Sequence, residues 1–76
     1  METSMTLDRL PMGRTAAVSS VNAEDAQRRR LMELGFVPGA AVSAVQASPW
    51  GDPVAYGVCG AVIALRRADA RQIAIT

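Results

Sequence analysis

Side chains that carry out enzymatic chemistry are scarce in this chain of 76 residues. It has no histidine and no lysine, which excludes imidazole acid–base catalysis, imidazole metal ligation and Schiff-base formation. Cys59 is the only cysteine, and no histidine is available to activate it as a nucleophile. The seven carboxylates are scattered, whereas a metal site needs several ligands that converge on one point. We therefore predict a protein that is not an enzyme and has no catalytic residue, no cofactor and no metal ligand.

Three consecutive arginines, Arg28, Arg29 and Arg30, form the densest cluster of charge. Such a run could bind a phosphate group, RNA or an acidic protein surface. It could equally be a solvated helix face, because three pairs have the i, i+4 spacing of helical ion pairs: Glu24–Arg28, Asp25–Arg29 and Arg29–Glu33. Arg30 falls on the apolar side of the predicted helix, where its stem can pack and its guanidinium can reach backbone carbonyls.

The only tryptophan, Trp50, lies between two prolines in a segment that predicts a loop. Loops often carry binding residues, and tryptophan is enriched among the residues that dominate protein interfaces. Trp50 could instead fold back to cover a core that is short of large side chains. Met32 is predicted to point away from the core and could join Trp50 or Phe36 in a contact patch. The candidate partner-binding residues are Arg28, Arg29, Met32, Pro49, Trp50 and Gly51.

The hydrophobic pattern predicts a mainly β fold of about five short strands with one inserted α-helix. The helix is expected to begin at an Asn22 N-cap and to end at Gly35, a natural left-handed C-cap. Leu7 and Leu10, three residues apart, are expected to close one end of the core. The strands are expected at 14–21, 40–47, 54–58, 61–65 and 72–76, and a short polar connection at 66–71. Closing a small sheet protects its edges, so we predict a partly open barrel.

Alternation along the strands assigns their inner faces. Val18 and Val21 are an odd number of positions apart in the first strand, so they are expected on opposite faces. The alternating strand at 54–58 predicts that its valines and its tyrosine point inward. Cys59 is interpreted as a small thiol, buried or half-buried.

Length and composition restrict the class of protein. A chain of 76 residues forms one small domain, which we place at 6–76 after a ragged start at 1–5. With 14 alanines, 8 valines and 3 aromatic residues, the core must be built from small and β-branched groups. The net charge of +1 does not favour nucleic acid as a partner. No apolar run approaches the ~20 residues of a membrane span, and no signal pattern opens the chain, so we expect a cytoplasmic protein without direct membrane insertion.

Several segments, in this order, match one known pattern. Residues 7–13 read Leu-x-x-Leu-Pro-x-Gly, and residues 30–39 read Arg-Leu-x-x-Leu-Gly-Phe-x-Pro-Gly. Gly-Asp-Pro at 51–53, a glycine at 60, Ala-Leu-Arg at 64–66 and Ile-Ala-Ile at 73–75 follow at suitable spacing. On these segments the chain resembles the FeoA family, the small cytosolic component of bacterial ferrous iron transport.

The resemblance implies an SH3-like barrel that supports FeoB, the inner-membrane ferrous iron transporter with a cytosolic GTP-binding domain. We therefore expect an accessory protein that contacts the cytosolic domain of a FeoB-like transporter and is recruited by it to the inner membrane. Weak self-association stays open, and so does the direction of any effect on transport. The alternatives are a small barrel that binds nucleic acid and a metal-sensing module, because similar barrels occur as C-terminal domains of metal-dependent repressors.

Overall fold

The computed structural model of the chain describes residues 5–76, in which six antiparallel strands form one open sheet. The elements in chain order are β1 (Met5–Thr6), a 3-10 turn (Leu7–Arg9), β2 (Thr15–Val21), α1 (Asp25–Glu33), β3 (Ala41–Ala47), β4 (Val54–Val58), β5 (Ala61–Leu65), α2 (Arg67–Ala70) and β6 (Ile73–Ile75). The strand order across the sheet is β1-β6-β2-β3-β4-β5.

The mainly β fold with one inserted helix is confirmed, and two elements add to it. The sheet has six strands where about five were predicted, because Met5 and Thr6 form β1 against β6. The expected ragged start at 1–5 lies outside the described residues except for Met5. The short polar connection expected at 66–71 contains the four-residue helix α2. Within residues 5–76, no helix has the length and apolarity needed to cross a membrane.

The core fills the space between the sheet, the 3-10 turn and α1. Leu7 and Leu10 are both buried at one end of it, as predicted. The three inward positions of β4 are also confirmed, and Tyr56 is 1% exposed. Burial raises the pKa of the Tyr56 hydroxyl, although the nearby Arg67 opposes this effect, so the phenol stays protonated at neutral pH. It donates a hydrogen bond to the carbonyl of Leu7 over 3.4 Å.

The prediction that Val18 and Val21 face opposite ways was wrong. Both side chains are buried. The register between β2 and β6 shifts between Val18 and Ser20, which inserts one extra residue into β2. A bulge of one residue reverses the alternation beyond it, so two positions of opposite parity reach the same core.

The predicted start of α1 was also wrong. The helix begins at Asp25, its N-cap residue is Glu24, and no side chain makes a capping hydrogen bond. Asn22 is occupied elsewhere, because its backbone N–H donates to the carbonyl of Gln72 over 2.7 Å and ties the end of β2 to the approach to β6. The side-chain oxygen that would cap the helix instead accepts a hydrogen bond from Ser20 Oγ over 3.5 Å, and Asn22 lies three positions before the first helical residue.

Only a narrow side of α1 is buried against the rest of the protein. Leu31 is the one residue within the helix that is fully buried. Arg30 was predicted to pack on the apolar side, but it is exposed, so that prediction was wrong. Gln27 is half-buried and donates from its amide to Asp69 Oδ1 over 3.0 Å. The helix ends as predicted at Gly35, whose φ of +115° suits glycine.

Candidate functional site

Five exposed side chains on the outward side of α1 lie side by side and leave a shallow, open groove between them. Its lining residues are Asp25, Arg28, Arg29, Met32 and Glu33. Three of the six candidate residues, namely Arg28, Arg29 and Met32, therefore share one surface. The helix brings them together because positions three and four apart lie on the same side.

The ion pairing on this face differs from the predicted i, i+4 pattern. Arg28 donates from its Nη2 atom to Asp25 Oδ1 over 3.1 Å, which is an i, i+3 pair between exposed side chains. Neither Arg29 nor Glu33 takes part in an ion pair within residues 5–76. Acidic and basic groups are thus interleaved around Met32, which is 36% exposed. The nucleic-acid alternative requires a continuous basic patch, and the outward face of α1 does not form one.

The second group of candidate residues lies in the loop between β3 and β4. Trp50 is 91% exposed, so the alternative in which it folds back over the core was wrong. The loop is held by its backbone: the N–H of Gly51 donates to the carbonyl of Ser48 over 2.8 Å, and the N–H of Ser48 donates to that of Pro53 over 3.1 Å. Gly51 has a φ of +84°, which this turn requires and which side chains disfavour. The tryptophan is therefore presented to solvent on a closed turn.

Pro49 belongs to a separate concavity of about 260 Å³ at the foot of the same loop. It is lined by Gln46, Ala47, Ser48, Pro49, Pro53, Ala55 and Ala64. Within residues 5–76, no hydrogen bond or ion pair joins this loop to the outer face of α1. The structure thus gathers the candidate residues into two groups rather than one.

Arg67, at the start of α2, supports the Trp50 loop and was missed by the sequence reasoning. Its Nε donates to the carbonyl of Gly51 over 2.7 Å, and its Nη1 donates to the carbonyl of Asp8 over 3.1 Å. Its backbone N–H donates to Asp52 Oδ1 over 2.9 Å. One half-buried residue thereby ties the loop, the 3-10 turn and α2 together. No local pattern identifies this arginine, because its partners are 15, 16 and 59 residues away.

Replacing Arg67 with alanine is expected to lower the free energy of unfolding by about 1–3 kcal/mol, because two charge-assisted bonds to backbone carbonyls are lost. The backbone N–H stays, so α2 itself need not unwind. Urea denaturation measures the loss, and hydrogen exchange at Gly51 is expected to become faster. Arg66→Ala is the matched control, since Arg66 is exposed and should change stability by less than about 0.5 kcal/mol. Equal losses in the two variants would contradict the role given to Arg67.

Cys59 was predicted to be buried or half-buried, and this was wrong. It occupies the two-residue turn between β4 and β5, has a φ of +51°, and is exposed. Its thiol lies 3.5 Å from the carbonyl of Gly35. Within residues 5–76, no three cysteine, aspartate or glutamate side chains are grouped so that they could hold a metal ion.

Comparisons with known proteins identify the family. The model of the FeoA domain matches residues 5–76. The Fe(2+) transport protein A/Fe(2+) transporter FeoB fusion protein of Porphyromonas gingivalis is 37% identical over 71 residues, which are 93% of this chain. This chain spans only 8% of the length of that fusion protein.

Two solved structures share the fold. The FeoA protein of Chlorobium tepidum has a TM-score of 0.87 and 42% identity, and the match covers 93% of this chain and 68% of that one. The FeoA of Stenotrophomonas maltophilia, complexed with zinc and described as an SH3 domain protein, has a TM-score of 0.84 and 41% identity, covering 95% of this chain and 89% of that one. The predicted SH3-like fold is therefore confirmed, and the chain belongs to the FeoA family.

Proposed function

We propose that this chain is an accessory protein of ferrous iron uptake and acts by contact with the cytosolic part of a FeoB-like transporter. The observation that carries the proposal is the Porphyromonas gingivalis protein, in which an FeoA part and a FeoB part form one polypeptide. Fusion holds two domains at a high effective concentration. Two separate chains associate only through a binding interface, and this chain must then supply one side of that interface.

The contact surface that we propose consists of the outer face of α1 and the Trp50 loop. The loop presents the side chain of Trp50, which is large, apolar and 91% exposed. Transfer of this ring from water into a partner's pocket would contribute favourably to the free energy of binding. Met32 adds a flexible apolar contact on α1. The surrounding charges favour a partner with acidic groups placed opposite Arg28 and Arg29, because complementary charge fixes the orientation of a complex.

In this proposal the chain carries out no chemical step itself. The transporter moves the iron and hydrolyses the nucleotide, and the accessory chain is brought to the inner membrane by binding to it. A folded domain whose exposed loop is already held by hydrogen bonds suits such a role, since few groups must be ordered on binding.

The direct test is a titration of the purified chain with the isolated cytosolic domain of its cognate transporter, under reducing conditions and with the nucleotide varied. Saturable binding is expected. Arg28→Glu should weaken it about tenfold, because the substitution reverses a charge in the proposed contact, and the difference should shrink at high salt. Arg9→Glu is the matched control, because Arg9 is exposed and lies outside the proposed surface.

Absence of binding in every nucleotide state would refute the proposed contact. Equal weakening of binding by Arg28→Glu and Arg9→Glu would mean that the transporter domain is the partner but that α1 is not part of the contact surface. Binding of RNA or DNA at low salt, with no binding of the transporter domain, would favour the nucleic-acid alternative instead.

A further inference from the structure

The strand β5 forms one end of the sheet, and its outer edge is unpaired within the chain. It pairs with β4 over all five of its residues, from Val58↔Ala61 to Val54↔Leu65. Within residues 5–76, its backbone makes no other hydrogen bond to the main chain. The opposite end of the sheet is β1, which is only two residues long. The longest free strand edge of the described fold therefore belongs to β5.

The turn between β4 and β5 determines which backbone groups point outward. Cys59 and Gly60 form a two-residue turn with positive φ at both positions. In such a hairpin the residues that flank the turn exchange hydrogen bonds, and hydrogen-bonded pairs then recur at every second position. Ala61, Ile63 and Leu65 consequently bond to β4. Val62 and Ala64 direct their N–H and C=O groups away from β4, toward the open edge.

This edge lacks the features that usually prevent strand edges from pairing. Natural edges are protected by charged residues, prolines, bulges or a covering element. β5 has the sequence Ala-Val-Ile-Ala-Leu, with no charge and no proline, and its pairing with β4 has no register shift. Ala61, Val62 and Ala64 are all exposed, Val62 to 66%. The edge is thus regular, apolar and accessible.

We propose that β5 pairs with β5 of a second copy of this chain, antiparallel and about a two-fold axis through Ile63. In this register Val62 lies opposite Ala64 of the second copy and Ala64 opposite its Val62, and each pair exchanges two hydrogen bonds. A large and a small side chain then face each other on the outer surface. Arg66 lies opposite Gly60, so no like charges are opposed.

The self-complementarity of this register favours a second copy over an unrelated strand as the occupant. The strand offers no charged or polar side chain that would select a different partner, whereas the two-fold register satisfies the free groups of Val62 and Ala64 on both copies. The dimer is weak. A stable interface buries about 800 Å² on each partner, roughly a sixth of the 4878 Å² surface of this chain, and one five-residue edge offers much less.

The test uses the full chain at concentrations from about 20 μM to about 2 mM, where weak interfaces form. Sedimentation is expected to show a shift from monomer to dimer over this range. At the highest concentration, the amides of Val62 and Ala64 should exchange with solvent about fivefold more slowly than at the lowest, because they become hydrogen-bonded. The amides of Ile63 and Leu65 already bond to β4 and should change less. This comparison requires no variant.

Val62→Lys is expected to abolish the dimer, because it places a charge at the paired edge of each copy. Val45→Lys is the matched control: Val45 is 50% exposed and lies on β3, an interior strand, so the same charge there should leave the dimer intact. Monomer at every concentration would overturn the proposal. A dimer that persists in Val62→Lys would also overturn it, and so would equal weakening of the dimer by Val62→Lys and Val45→Lys. A dimer that forms without slower amide exchange at Val62 and Ala64 would overturn it as well.

Discussion

Replacing Trp50 with alanine is expected to weaken binding to the transporter's cytosolic domain by about 30-fold, which corresponds to about 2 kcal/mol. Trp50 is the most exposed of the large hydrophobic side chains in the described residues. Burying its ring in a partner's pocket removes more apolar area from water than any other single contact on the proposed surface could. The same exposure means that the isolated chain should keep its melting temperature, since the ring supports no internal packing.

The measurement can follow this residue directly, because the chain contains only one tryptophan. Labelling with 5-fluorotryptophan gives a single fluorine resonance from this chain, whatever aromatic residues the partner contains. We expect that resonance to shift and broaden as the transporter domain is added. Isothermal titration of wild-type and variant protein then supplies the two dissociation constants.

Met12→Ala is the matched control for Trp50→Ala. Met12 is 45% exposed and lies in the turn before β2, outside both α1 and the Trp50 loop. Its replacement should leave the dissociation constant unchanged within about twofold. Tight binding by Trp50→Ala, together with a fluorine resonance that does not respond to the partner, would remove the loop from the proposed surface.

Replacing Phe36 with alanine is expected to reduce the free energy of unfolding by about 3–5 kcal/mol. Phe36 lies three residues after the end of α1 and donates its backbone N–H to the carbonyl of Leu31 over 3.2 Å. It is fully buried, so the expectation that it could join Met32 in an exposed contact patch was wrong. The chain has three aromatic residues, and one of them is exposed Trp50, so Phe36 and Tyr56 are the two that fill the core. Alanine would leave a cavity that the surrounding small side chains cannot reach into.

A domain of this size has a total stability of about 4–11 kcal/mol, so the expected loss is a large part of it. Thermal denaturation by circular dichroism should show a melting temperature lower by more than about 12 °C, or no folded protein at all. Phe36→Leu should cost much less, because it keeps most of the buried volume. A loss below about 1 kcal/mol for Phe36→Ala would mean that the end of α1 is not packed as the structure describes.

The parts of the fold that follow from local pattern were predicted well. β4 and β5 have the predicted bounds, because strict alternation along β4 and the Cys59–Gly60 turn leave one register for the hairpin. Gly35 ends α1 as expected, because its positive φ suits glycine. These features depend on residues close together in the chain, and the physical preferences act over the same short range.

Most of the features that the sequence did not predict depend on distant residues. The bulge in β2 arises where this strand changes its pairing from β3 to β6, and no residue within β2 marks the position. The helix α1 begins two residues later than expected, which leaves Asn22 at the end of β2, where its backbone N–H donates to the carbonyl of Gln72. Arg30 is exposed because α1 rests on the sheet by a narrower strip than its pattern of apolar residues suggests, with Leu31 at its centre.

The candidate binding residues also differ in how far the sequence could place them. The sequence alone placed Arg28 and Met32 on the outward side of a helix, since a period of 3.6 residues determines which positions share a face. It also placed Trp50 in a loop, because the prolines and glycine around it disfavour any regular element. Whether that ring lies on the core or in solvent was open until the tertiary structure placed it.

By itself, then, the sequence determined five of the six strands, the presence and the end of α1, the main turns and the family to which the chain belongs, because short-range backbone preferences and a string of spaced residues specify them. Only the tertiary structure decided that Trp50 is exposed, that Arg67 ties its loop to the 3-10 turn and α2, and that β5 keeps a free edge. The physical reason is that burial and long-range hydrogen bonds depend on which elements become neighbours. That outcome is set by packing the whole chain around one small core.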